Sequence, residues 1–195
     1  MQKEVKTEIT KEKLIAAASK LIEDCDDPFK ITSRQIAQES GMQAAMINYC
    51  FGSRDNLIYA VYHRKYKESL QDELIAKIVN SSSSPKDKLK KLHLLVAKFL
   101  VENYKLTKAI SSLVIFERDL SEESFSYGYV MEHFKGTKTS KECRLIAYEL
   151  STMMQLIIYR KDDIARDMGI DLSKEKQLKH YIDLRIDLLL PDVEG

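Results

Sequence analysis

The stretch Ile31–Leu57, ITSRQIAQESGMQAAMINYCFGSRDNL, sets two short helical patterns on either side of one glycine and closes on the start of a third. Thr32, Ser33, Arg34 and Gln35 open the first pattern as a capping box, in which the threonine hydroxyl accepts the backbone N–H three residues on. Ile36 and Ala37 then face inward. Gly41 stands where that helix must stop, and only glycine takes the left-handed conformation there without steric cost. In the second pattern Met42, Ile47 and Phe51 close a small apolar core, which leaves Gln43, Ala44, Asn48 and Tyr49 pointing away. Ser53 is placed to cap a third helix, with Arg54 and Asp55 in its first turn. Two helices across a tight glycine turn, the second apolar behind and amide-bearing in front, are a helix-turn-helix.

At these residues the chain resembles the tetracycline-repressor (TetR) family of bacterial transcription regulators. The match runs in order through Thr32, Ile36-Ala37, Gly41-Met42-Gln43, Ile47-Asn48-Tyr49-Cys50-Phe51 and Ser53-Arg54-Asp55-Asn56-Leu57, ungapped over about 26 residues. It extends more loosely over roughly residues 5–65; beyond that only the helical layout agrees. Gln43 replaces the usual Ser or Thr cap, Asn48 the usual tyrosine, and Cys50 a common His or Tyr. Those departures bear on which operator is read, not on the fold.

The bulk composition is compatible with this and excludes little. A chain of 195 residues can build a core without staples, and 44% apolar content is ordinary for a globular protein. Three prolines, six glycines and no tryptophan favour helices. Cys25, Cys50 and Cys143 are odd in number and form no C-x-x-C pair, which points to free thiols in a reducing compartment. The first ten residues lack the apolar region of a signal peptide, and the apolar cluster from Met153 to Tyr159 is too short to span a bilayer. The expectation is a cytoplasmic protein. Residues 1–70 carry eleven basic and ten acidic side chains, a weak surplus for a nucleic-acid surface. The acids, however, gather at Glu23, Asp24, Asp26 and Asp27, in a turn that a helix-turn-helix holds away from the duplex, whereas Lys30, Arg34 and Arg54 lie beside the second helix.

Periodicity predicts an all-α chain of about nine helices. The first covers 9–24, with Phe29 resembling the aromatic that plugs the following corner in the family. The fourth runs from about 53 to 79 and links an N-terminal domain, 1–52, to a second domain, 53–195. Ser84, Pro85 and Asp87 form a strong start for the fifth. The sixth spans Leu106 to Glu117, and an aromatic-rich seventh, Phe125 to Phe134, ends at Gly136. Thr139 with Glu142 is a second capping box that opens the eighth, and Pro191 stops the ninth. No strand pattern or internal repeat is present.

The candidate DNA-contacting residues are Thr32, Ser33, Arg34, Gln43, Ala44, Asn48, Tyr49 and Arg54, as the resemblance implies for the matching positions. Gln and Asn side chains bond adenine N6 and N7 together, and Gln43 and Asn48, five apart, reach one major groove. Hydroxyls of Thr32 and Tyr49 suit phosphate, and Arg34 and Arg54 add charge. The resemblance also implies a ligand cavity in the body. Its candidate lining is His93, Phe99, Tyr104, Leu113, Phe116, Glu117, Tyr127, Met131 and Phe134, against the plainer reading of aromatic and methionine stripes as core. Leu145, Met153, Leu156 and Ile157 on the eighth helix and Tyr181, Leu184 and Leu188 on the ninth make apolar faces too wide for one packed surface. A homodimer through those two helices is what the resemblance implies.

No metal cluster, phosphate loop or nucleophile motif stands out; the histidines are isolated, and Asp162, Asp163, Asp167 and Asp171 lack the glycine and terminal Glu of a calcium loop. The reading is a non-enzymatic, cofactor-free DNA-binding regulator, a repressor released from a palindromic operator by a small, largely apolar effector. Its rivals are a regulator controlled by a protein partner or acting as an activator, and an all-α enzyme or scaffold.

Overall fold

The computed structural model describes residues 2–69, 72–117, 119–120 and 124–192, with side chains from Val5 onward. These residues hold eleven α-helices and no strand: α1 (Gln2–Asp24), α2 (Ser33–Ser40), α3 (Ala45–Phe51), α4 (Arg54–Ser69), α5 (Asp72–Val79), α6 (Pro85–Glu102), α7 (Tyr104–Ser112), α8 (Tyr127–Phe134), α9 (Ser140–Tyr159), α10 (Lys161–Met168) and α11 (Glu175–Leu189). The all-α class and the helical order read from the sequence hold. Two differences raise the number of helices. The stretch expected as one helix, 53–79, is two segments, with residues 70 and 71 outside the described set. The Asp-rich run is itself a helix, α10, bound internally by Arg160–Asp163 (2.5 Å) and Arg166–Asp163 (3.0 Å) and stopped by Gly169 at φ 70°.

The chain divides into two compact units, Met1–Ser69 with Asn103–Leu113, and Leu70–Glu102 with Val114–Gly195. The first does not follow the expected 52/53 boundary, because α4 buries Leu57, Ile58 and Val61 with α1 and α3. Its core draws Leu14, Ala18 and Ile22 from α1, Ile36 and Ala37 from α2, and Ile47 from α3. α7 completes it with Leu106, Ala109 and Ile110, three residues at helical spacing, packed on α1 and α4. Lys105 Nζ donates to the carbonyl of Glu23 at 2.8 Å, a cation on a free carbonyl of the last turn of α1. Pro28, in a short 3-10 turn, is the buried residue of the corner, whereas Phe29 is exposed, contrary to its expected plugging role.

The second unit is built around α6, which meets α5, α8, α9 and α11. Ser84 caps it as expected, accepting from Asp87 N at 3.1 Å, with Pro85 at the first helical position. Leu89, Leu92, Ala97, Phe99 and Leu100 of α6 are buried, as are Leu150, Met154 and Ile158 of α9 and Leu178, Ile182 and Ile186 of α11. Lys86 and Lys90 both meet Asp187, at 2.9 and 2.8 Å, and hold its carboxyl below the usual carboxylate range. The capping box of α9 forms, with Glu142 N to Thr139 Oγ1 at 3.3 Å and Thr139 N to Glu142 Oε2 at 2.7 Å. α8 begins two residues later than expected and ends at Phe134 as expected; its left-handed cap falls on Lys135 at φ 42°, one residue before Gly136 at φ 89°.

Candidate nucleic-acid interface

α2 starts on the capping box read from the sequence: Gln35 N donates to Thr32 Oγ1 at 3.2 Å, and Thr32 N donates to Gln35 Oε1 at 2.8 Å. Gly41 takes φ 66°, and the chain turns into α3, whose first turn is tied by Met46 N to Gln43 O at 2.9 Å. Ala44, at the start of α3, provides no side-chain cap. Ile47 is fully buried, and Met42 and Phe51 are half-buried, so the expected apolar backing of α3 is centred on Ile47. Behind α3, Gly52 turns at φ 79°, Asn56 N donates to Ser53 Oγ at 3.1 Å as the cap of α4, and Asn56 Nδ2 donates to Phe51 O at 3.0 Å.

That backing leaves one outward surface. Gln43, Ala44, Ala45, Asn48 and Tyr49 are exposed, Tyr49 to 62% of its surface. Thr32 and Arg34 are exposed and Ser33 half-exposed at the N-terminus of α2. The Thr32 hydroxyl is engaged by its own cap, donating to Gln35 Oε1 at 2.9 Å. Arg34 makes no ion pair among the described residues. Arg54 does not belong with them. Its guanidinium donates to Asp55 Oδ1 at 2.8 and 2.5 Å, to Ile31 O at 2.8 Å and to Phe29 O at 3.4 Å. It is a brace between the start of α4 and the turn that launches α2, through acceptors too distant along the chain for a local motif to mark. Cys50, behind the exposed surface, has its thiol pushed up by burial, which keeps it protonated and unreactive.

The residues expected to line a cavity have different surroundings. His93 is 1% exposed and packed: its Nε2 lies 2.8 Å from Ser126 Oγ, its ring 5.0 Å from that of Phe125, and burial lowers its pKa to about 4. Phe99 and Phe134 are core. Tyr104 and Leu113 belong to the first unit, and Met131 is half-buried. Phe116, 81% exposed, and Glu117 face outward. The cause is a π turn over Leu113–Glu117, which inserts a residue into the helical count, so that spacing carried on from Leu113 no longer marks the inward side.

Tyr127 instead lines a groove of about 330 Å³ at the start of α9, together with Leu120, Ser124, Lys141, Arg144, Leu145, Ala147 and Tyr148. The sequence reading missed it; the available signal was a pair of cations in the opening turns of α9. A larger apolar groove of about 580 Å³ runs along α9, α10 and α11 and includes Ile157, Ile164, Leu172, Tyr181 and Leu184. On α9 and α11 Leu145, Leu156, Leu184 and Leu188 stand exposed, Leu145 to 67% and Leu188 to 65%, while Met153, Ile157 and Tyr181 are half-buried. Among the described residues no group of three His, Cys, Asp or Glu could hold a metal ion, and no helix is long and apolar enough to cross a membrane.

Architecture and surface together define a class: an all-helical protein with a helix-turn-helix in one unit and a helical body in the other. No family model and no curated protein matches the sequence. In structure the chain is similar to a TetR transcriptional regulator from Rhodococcus sp. RHA1, with a TM-score of 0.57 over 100% of both chains at 13% identity. The chain shares the fold of that regulator, as the resemblance at residues 31–57 implied.

Proposed function

We propose that this chain is a DNA-binding transcriptional regulator that reads duplex DNA with α3. The observation that carries the reading is the exposed surface of Gln43, Ala44, Asn48 and Tyr49, held on a buried Ile47 between two left-handed glycines. Gln43 and Asn48 serve base edges; Tyr49, Arg34, Ser33 and the free N–H groups at the start of α2 serve phosphates. The exposed leucines of α9 and α11 exceed what a monomer normally leaves to water in one region, and a homodimer through those helices covers them. Such a dimer presents α3 twice, about 34 Å apart, to a palindromic site. The protein acts in the cytoplasm as a repressor, and a small, largely apolar effector releases it by favouring one of two separations of the paired helices.

Selection of bound fragments from random duplex DNA tests this. An enriched inverted repeat supports the reading, and recovery of unenriched sequence contradicts it. A regulator governed by a protein partner is the second reading, favoured by the burial of His93, an expected ligand contact, against Ser126 and Phe125.

A further inference from the structure

We propose that Asn56, in the first turn of α4, is a positioning residue for base reading: its side-chain amide holds the last turn of α3 and so fixes where Asn48 points. The inference rests on the DNA-binding reading above and adds to it a residue that touches no base.

α3 needs such a hold. It has seven residues, under two turns, and a helix that short is marginal in water on its own. Ala44 stands at its N-cap and supplies no side-chain hydrogen bond. Among its residues Ile47 is buried, whereas Phe51 is half-buried. Asn48 and Tyr49 follow Ile47 directly and are exposed, so their direction depends on the closing turn. That turn is completed by Gly52 N donating to Asn48 O at 2.9 Å. The last carbonyls of a helix have no partner within it, and that of Phe51 receives Asn56 Nδ2 at 3.0 Å.

The start of α4 sets Asn56 up for this. Ser53 Oγ accepts from the backbone N–H of Asn56 at 3.1 Å, which fixes the turn and leaves the side-chain amide to serve α3. The amide lies against Gly52, 3.6 Å from where a Cβ would stand, at the residue whose φ of 79° turns the chain out of α3. In the same turn of α4, Arg54 donates to Ile31 O at 2.8 Å and to Phe29 O at 3.4 Å. One turn of α4 therefore grips both the chain entering α2 and the chain leaving α3, and Asn56 is the grip on α3.

Amide hydrogen exchange of the full chain reads the hold without DNA. Asn56→Ala and Asn56→Asp both remove the donor, and each should speed exchange at Gly52 about five-fold. The new carboxylate of Asn56→Asp also favours the N-terminus of α4, so the unfolding midpoint of that variant should stay near the wild type. Competition among single-base variants of the selected site then reads the consequence, since uniform changes in affinity cancel there. Both variants should relax preference about five-fold at the pair defined by Asn48→Ala and leave the pair defined by Gln43→Ala, before the start of α3, as in the wild type. Asn56→Ala added to Asn48→Ala should relax it no further. Unchanged exchange at Gly52, unchanged preferences, or equal relaxation at both pairs would overturn the proposal. If the wild-type chain selects a sequence and Asn56→Asp reads it identically, the DNA-binding reading stands and this proposal fails. If the wild-type chain selects none, that reading fails and exchange at Gly52 alone decides whether Asn56 holds α3.

Discussion

Single side chains on the head divide into those that face out and those that hold the outward ones in place. Asn48 and Gln43 have no structural duty, so replacing either by alanine should leave stability within about 0.5 kcal/mol. Each replacement should nevertheless relax preference at its base pair by about 1–3 kcal/mol, read by competition binding against single-base variants of the selected site. Arg54 is the reverse case. Arg54→Ala strands the carbonyl of Ile31 and an acid at the start of α4, and should destabilise the protein by about 1–3 kcal/mol in chemical unfolding. In the body, His93 carries a pH signature. Its pKa falls to about 4 in the fold from an ordinary 6.5, so between those values the unfolded chain binds the extra proton. Stability should rise with pH from about 4 to 6.5 and be level above, with about 3 kcal/mol attributable to this group. Comparison of urea unfolding with His93→Gln at pH 5 and 7 isolates it: the difference between the two proteins should change sharply with pH, and an unchanged difference contradicts the assignment.

At the level of elements, what governs legibility is whether a signal is local. Thr32–Gln35, Ser84–Asp87 and Thr139–Glu142 are contacts within one turn, and each cap stands where the sequence put it. Gly41 required its left-handed φ for the same local reason. The helix expected over Leu106–Glu117 failed as a guide because a 3.6-residue count does not register the π turn that sends Phe116 and Glu117 outward. The end of α8 stands at Phe134 as expected, and Gly136 does take a positive φ of 89°, but the cap itself falls one residue earlier, on Lys135 at φ 42°. That residue is exposed and strained, so Lys135→Gly should raise thermal stability by about 1 kcal/mol, measured by calorimetry. Thr139→Ala should cost about 1 kcal/mol by removing the cap of α9.

Across the whole molecule, the sequence showed which faces were too apolar to stand alone but not which contacts would claim them. Leu145, Leu156, Leu184 and Leu188 stayed exposed, whereas His93, Phe99 and Phe134 were absorbed into the core, a distinction set by tertiary packing that no single helix encodes. The same limit hid the role of Arg54, whose acceptors at Phe29 and Ile31 lie more than twenty residues away. If the leucine stripe is the dimer face, Leu184→Glu with Leu188→Glu should yield a folded monomer in sedimentation velocity and lose the inverted repeat in favour of single half-sites. An unchanged sedimentation coefficient would remove α11 from the interface. The proposed function turns on α3 reading bases. Its most direct test is to repeat the random-duplex selection with the wild-type chain and with the Gln43→Ala, Asn48→Ala double variant, side by side at one salt concentration. The wild type should enrich an inverted repeat, and the variant should still bind duplex but lose the preference at the central pairs of each half-site; the same enriched sequence from both proteins would contradict it.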